Sequence, residues 1–277
     1  MGQFPMPLPL IGHRQLYKVF DRFNRRRLFT AYEVGYRSID TAQAYGNEEG
    51  VGSAVKKSGI AREEFFITTK IWISNAGYEK AKASIEQSLQ KLQSDYIDLL
   101  LIHQPFNDYY GTYRAMEEAY KNGMVKAIGV SNFYPDCYID LATFCEVKPA
   151  VNQVETHVFQ QQKQAREYME KFGTQIMSWG PFAEGKNDYF NNATLKEVGE
   201  KNDKTVAQTA LRFLIQSGVV VIPKSTHKER MAENFKVLDF ALDDNDMKKI
   251  TSLDTGKSLF FSHQDPETVE WFMGMFK

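Results

Sequence analysis

Four side chains that can carry charge or move a proton stand at or just beyond the ends of apolar segments. Asp40 closes YRSID, Lys70 closes FFITTK, His103 closes YIDLLLIH, and Tyr45 follows Asp40 in the next loop. A carboxylate, an ammonium, an imidazole and a phenol brought to one place can pair and exchange protons. The lysine could also form a Schiff base with a carbonyl. Each has a plainer reading on its own. Asp40 before Thr41 could cap a helix, Tyr45 before Gly46 could be a turn aromatic, Lys70 a solvated strand end, and His103 a loop histidine. A charged group ending an apolar strand is costly unless it is paired or used. Repetition of the pattern on consecutive strands argues for use.

The elements that would position them alternate regularly. Short apolar runs at Tyr36–Thr41, Phe65–Lys70, Tyr96–His103, Val125–Val130, Ala150–Glu155, Gln175–Trp179 and Val219–Ile222 read as strands buried on both faces. Amphipathic patterns at Tyr78–Leu92, Tyr113–Lys121, Gln161–Phe172, Thr205–Gln216 and Asp243–Leu253 read as helices. Several stop at Gly or Asn, the residues that accept the left-handed turn at a helix end. Strand–helix units in this order fit a parallel sheet. A chain of 277 residues with seven such units, and an eighth expected first, fits a (β/α)8 TIM barrel forming a single domain over 1–277. In such a barrel all strand ends open on one face, so Asp40, Tyr45, Lys70 and His103 would meet at one mouth.

Composition excludes some alternatives. The formal net charge is -1, so no global field draws the chain to nucleic acid. There is no apolar run long enough to span a bilayer and no basic-then-apolar secretory start, and Met6 stands where a myristoylation signal needs Ser or Thr. Two cysteines, Cys137 and Cys145, make neither a disulfide framework nor a zinc site. The reading is a cytoplasmic protein with reduced thiols and no metal. Gly50-Val51-Gly52 fails as a dinucleotide fingerprint, because Val55 occupies the third small-residue position and the stretch lies within a helix.

The segments GYRSIDTAQAYGNEEGVGSAV, FFITTKIW, YIDLLLIHQP, KAIGVSNF, PAVNQVE and IPKSTHKERMAEN, in that order, resemble the aldo-keto reductases. The likeness runs from about Tyr32 to the C-terminus and is closest to the bacterial branch of 2,5-diketogluconate and methylglyoxal reductases. It implies hydride transfer from NADP(H) to a small aldehyde, ketone or keto-sugar. Tyr45 would be the general acid, its pKa lowered by Lys70. Asp40 would hold Lys70, and His103 would orient the carbonyl. Ser131, Asn132 and Gln153 would bind the nicotinamide carboxamide, and Trp179 would stack on its ring. Lys224, Ser225, Thr226, Arg230, Glu233 and Asn234 would hold the adenosine phosphate, with two cations suited to a 2′-phosphate. Trp72, Gln104 and Phe106 would line the substrate pocket, Gln104 standing where many members have Trp. The C-terminal segment 255–277 carries Phe260 and Phe261, which could cover the site. Monomer is the family default.

Residues 1–30 depart from the pattern. Met6-Pro7-Leu8 and Leu10-Ile11-Gly12 echo the family's opening; His13–Phe29 does not, as a compensated frameshift in the coding sequence would produce. Leu16, Val19, Phe20 and Phe23 fall at roughly helical spacing, and Arg25-Arg26-Arg27 sits where a helix should pack. A weak first strand would reduce stability or cofactor affinity. Two further functional readings compete: an NADP(H)-sensing module that docks on a partner with little turnover, and a barrel isomerase or aldolase using Lys70.

Overall fold

The computed structural model describes residues 16–18 and 25–275, without side-chain detail before Leu28. Among the described residues eight strands form one sheet in which spatial order equals chain order, and each consecutive pair runs parallel. The chain enters through strand β1 (Leu16–Lys18) and helix α1 (Arg25–Val34). It continues through β2 (Ser38–Asp40), α2 (Glu48–Lys57), β3 (Phe66–Ile71), α3 (Tyr78–Leu92), β4 (Leu99–Ile102) and α4 (Tyr109–Lys121). Next come β5 (Ile128–Ser131), α5 (Pro135–Phe144), β6 (Val151–Glu155), α6 (Lys163–Phe172) and β7 (Gln175–Trp179). Helices α7 (Ala193–Lys201) and α8 (Val206–Gln216) precede β8 (Val220–Val221). Then follow α9 (Lys228–Phe235), α10 (Asp244–Thr251) and α11 (Pro266–Gly274). This is the expected (β/α)8 barrel, and the eighth unit is the first in sequence.

Both faces of the sheet are covered, and β4 (LLLI) shows it most plainly, apolar and buried at every position. Leu99 and Leu101 of β4 point into the barrel with Val151, Met177 and Ile222. Leu100 and Ile102 of the same strand join the layer packed under the helices. Alternation along a strand therefore separates two cores. The helical ring closes where α9 meets α1: Tyr36 Oη donates to the Met231 carbonyl at 3.1 Å, and its ring packs edge-on to Phe235.

Three sequence expectations are corrected. Leu16–Lys18 is a strand paired with β2, not the start of an amphipathic helix; backbone pairing in the sheet overrides the spacing. The proposed partners Val19, Phe20 and Phe23, and the motifs before Leu16, lie outside the described residues. Helix α4 begins at Tyr109, four residues before Tyr113, because Asp108 caps it by accepting from Gly111 N at 2.7 Å. Helices α5, α7 and α11 had no clear periodic signal. Gly52 belongs to α2, where a Cβ would come within 2.4 Å of the Leu92 backbone; its role is close helix packing. Cys137 and Cys145 are free thiols. Among the described residues no helix is long and apolar enough to cross a membrane.

Candidate active site

Asp40 ends β2 and Lys70 is the last residue but one of β3, both on the barrel's inner side and both fully buried. Lys70 Nζ donates to Asp40 Oδ1 at 2.6 Å and to the Thr41 carbonyl at 2.8 Å. The other carboxylate oxygen of Asp40 accepts from Gln153 Nε2 at 2.8 Å. Gln153 itself projects inward from β6 and touches Met177 Sδ at 3.1 Å. The ion pair is thus hydrogen-bonded at both carboxylate oxygens, which a buried pair requires.

Tyr45 ends a short turn, Gln43–Tyr45, stopped by Gly46 at φ 62°. Gln43, which the sequence reading passed over, pins that turn. Its Oε1 accepts from Trp72 N and from Asn75 Nδ2, both at 2.9 Å, while its Nε2 donates to Ser88 Oγ at 3.1 Å. Tyr45 is thereby held with its ring centre 5.2 Å from Lys70 Nζ and 5.5 Å from the His103 ring, which meets it edge-on. The four residues converge as expected. The expected direction of the tyrosine pKa is reversed. Burial, and then the negative charge of Asp40, push the Tyr45 phenol well above its ordinary value. Burial pushes Lys70 down, opposed by its carboxylate partner. Desolvation outweighs the attraction between phenolate and ammonium because Asp40 already neutralises the lysine.

Asn132 is the hub of the neighbouring corner. It follows β5 with φ 64°, a conformation asparagine tolerates. Its Oδ1 accepts from Trp179 Nε1 at 2.7 Å. Its Nδ2 lies 3.1 Å from the His103 carbonyl, 3.2 Å from Gln104 Oε1 and 3.2 Å from Ser131 Oγ. Ser131 Oγ donates to the Gln153 carbonyl at 2.8 Å. Ser131, Asn132, Gln153 and Trp179 therefore form one network joined to the Asp40–Lys70 pair through Gln153.

The second expected group surrounds the start of α9. Lys224, Thr226 and Arg230 are exposed there, and Ser225 and Asn234 are buried. Ser225 Oγ accepts from His227 N at 3.2 Å. Glu233 differs from the rest: its Oε1 accepts from Thr205 Oγ1 at 2.5 Å, so its carboxylate reaches back to the N-cap of α8.

The C-terminal segment lies over the mouth. Phe260 packs edge-on against Trp179 at 5.1 Å. Phe272 stacks on His263 and contacts Phe106, Phe261 and, at 6.3 Å, Trp72. Buried Glu155 ties the segment down, accepting from Ser258 Oγ at 2.6 Å and Leu259 N at 2.9 Å. His263 and Phe272 were missed in the sequence. The available signal was Asp265-Pro266, a helix start that makes the tail an ordered element.

The model of the Aldo/keto reductase family matches residues 18–255. Glyoxal reductase of Bacillus subtilis is 49% identical over 224 residues, covering 80% of each chain. Methylglyoxal reductase DkgA of Escherichia coli is 44% identical over 232 residues, 83% of this chain and 84% of that one. The crystal structure of a Bombyx mori aldo-keto reductase in complex with NADP superposes with a TM-score of 0.80 at 32% identity, covering 89% of this chain and 86% of that one. The inward Asp40–Lys70 pair with Tyr45 and His103, the barrel that carries it and these matches agree, and they set aside the isomerase and aldolase reading: the chain belongs to the aldo/keto reductase family, the NADP(H)-dependent oxidoreductases.

Proposed function

We propose that the chain reduces a small aldehyde, ketone or keto-sugar to the alcohol, with Tyr45 as the general acid. The observation that carries this reading is the clustering of Tyr45, His103 and the Asp40–Lys70 pair at one end of the barrel interior. The residues also suit the cofactor. Trp179 offers a half-buried indole at the mouth, Ser131, Asn132 and Gln153 offer amide and hydroxyl groups, and two cations are exposed, Lys224 on the β8–α9 connection and Arg230 in the first turn of α9. Bound there, NADPH supplies the hydride.

The protein groups handle the oxygen. As the carbonyl carbon is reduced, negative charge grows on its oxygen, and a donor aimed at it lowers the barrier. Tyr45 fits because its raised pKa keeps the phenol protonated at every physiological pH. His103, edge-on to Tyr45, orients the carbonyl from the other side. Lys70 steadies the developing tyrosinate once the proton has left, and Asp40 with Gln153 keeps Lys70 in place. The substrate scale is supported by the aromatic enclosure of Trp72, Phe106 and Phe272 and by the two-carbon and three-carbon dicarbonyls in the names of the Bacillus and Escherichia relatives.

The test follows NADPH absorbance with glyoxal, methylglyoxal, glyceraldehyde, 4-nitrobenzaldehyde and 2,5-diketogluconate. Wild type should turn over at least one of them, and Tyr45→Phe should lose about 10²- to 10⁴-fold in kcat while still binding NADPH. A folded wild type that binds NADPH and reduces none of them would favour the sensing module instead.

A further inference from the structure

One donor-only group sets the direction of a chain of hydrogen bonds across the mouth. An indole N–H can only donate, so Trp179 Nε1, 2.7 Å from Asn132, identifies the facing atom as Oδ1. The opposite end of that amide is a donor, and it lies 3.2 Å from Gln104. Gln104 must therefore present its oxygen there. His263 Nε2 approaches the same oxygen at 2.6 Å and must carry the hydrogen. Burial holds the imidazole neutral, with a pKa pushed down to about 4. Its Nδ1 is then an acceptor, and it faces the Tyr134 hydroxyl at 3.4 Å. Both lone pairs of Gln104 Oε1 are thus occupied, and among the described residues no acceptor is bonded to its two amide hydrogens. Gln104 is itself 7% exposed and follows His103 directly in the chain.

We propose that Gln104 is a specificity-determining residue whose amide N–H groups, fixed by Asn132 and His263, bind an oxygen on the carbon next to the reacting carbonyl. This deepens the reductase reading above and rests on it. The substrate class is vicinal: dicarbonyls and hydroxycarbonyls. Such a substrate offers its first oxygen to Tyr45 and His103 and its second to Gln104. A substrate without the second oxygen leaves this donor pair unpaired where it covers the site, and sites built around a hydrogen bond discriminate strongly against such analogues. A tryptophan at the same place would supply surface and a single N–H in a different direction. His263 is a positioning residue here, acting through Gln104 from the C-terminal segment.

The experiment compares kcat/KM for methylglyoxal and for propanal, which has the same carbon count and lacks the second oxygen. The quantity read is the ratio between the two substrates, so differences in intrinsic reactivity cancel between variants. Gln104→Met keeps the length and removes the donors; the ratio should fall about 10- to 100-fold, with NADPH affinity by fluorescence quenching as the folding control. His263→Ala leaves the donors and frees the amide, so the ratio should fall by a smaller factor, expressed mainly in the KM for methylglyoxal. Equal losses for both substrates in Gln104→Met, or an unchanged ratio in either NADPH-binding variant, would overturn the inference and leave the reductase reading intact. A wild type that reduces neither substrate, nor any other carbonyl of the panel above, would overturn both.

Discussion

Lys70 and Asp40 hold opposite charges 2.6 Å apart at zero exposure, so neither can be removed without stranding the other. Breaking a buried pair from one side costs about 3–5 kcal/mol, while replacing both members by neutral groups costs far less. Lys70→Met should therefore lower the urea midpoint substantially. The double variant Asp40→Asn, Lys70→Met should regain part of that loss, giving a coupling of about 1–3 kcal/mol, although both proteins lose activity. Additive losses would mean that the pair acts only in catalysis. At this scale the sequence was informative wherever a charge ended an apolar strand, as at Asp40, Lys70 and His103. The family resemblance gave the Tyr45 shift the wrong sign, because burial and then the Asp40 charge decide it, and neither is visible in the spacing. The sequence was silent on Gln43, since an amide in a loop has no distinguishing pattern until its partners on α3 and on the turn between β3 and α3 are in view.

Among the elements, the segment running from Ser258 through α11 is attached differently from the barrel units. It adds no strand to the sheet and is held by Glu155, by the Gln104–His263 bond and by stacked rings. Attachment through side-chain bonds and rings, without sheet pairing, places a segment toward the low end of local stability. Phe272 is the ring that joins it to Phe106 and Trp72 on the barrel side. Phe272→Ala should therefore shift the balance between closed and open forms of the segment more than it shifts global unfolding. KM for the preferred carbonyl should rise about tenfold with kcat within about threefold, and amide exchange should quicken over 258–275 while β4 to β6 stay protected. A lower melting temperature with unchanged KM would instead make the segment part of the cooperative core. The barrel units were legible in the chain because their strands are continuous apolar runs and their helices carry one apolar stripe, as Tyr78–Leu92 does with Ala81, Ile85 and Leu92 buried. Helix α11 was not. Its exposed Trp271 and buried Phe272 are adjacent, so the apolar residues mark no single face.

For the whole molecule, the formal charge of -1 gives no strong self-repulsion near neutrality, so acid sensitivity depends on individual buried groups. His263 is the clearest case. Burial pushes its pKa down to about 4, and the nearby Glu155 carboxylate opposes that only in part. The groups around it are Gln104, whose oxygen takes its Nε2 hydrogen, and the Tyr134 hydroxyl at Nδ1. A second proton would have no acceptor better than that hydroxyl. In the unfolded chain the same imidazole titrates near its ordinary value of about 6.5. Between those two values the unfolded state binds more protons than the folded one, so acidification favours unfolding. The stability that depends on a neutral His263 is fully present above about pH 6.5 and is lost progressively as pH falls to about 4. At about 1.4 kcal/mol per pH unit, the loss comes to roughly 3 kcal/mol. His263→Gln keeps a donor toward Gln104 and cannot titrate. Urea midpoints measured from pH 7.5 down to pH 4.5 should fall more steeply for wild type than for this variant, the two curves separating below about pH 6.5 as the unfolded histidine takes up its proton. Parallel curves would show that His263 is already reached by solvent protons without unfolding, and that the C-terminal segment opens in acid while the barrel beneath it stays folded.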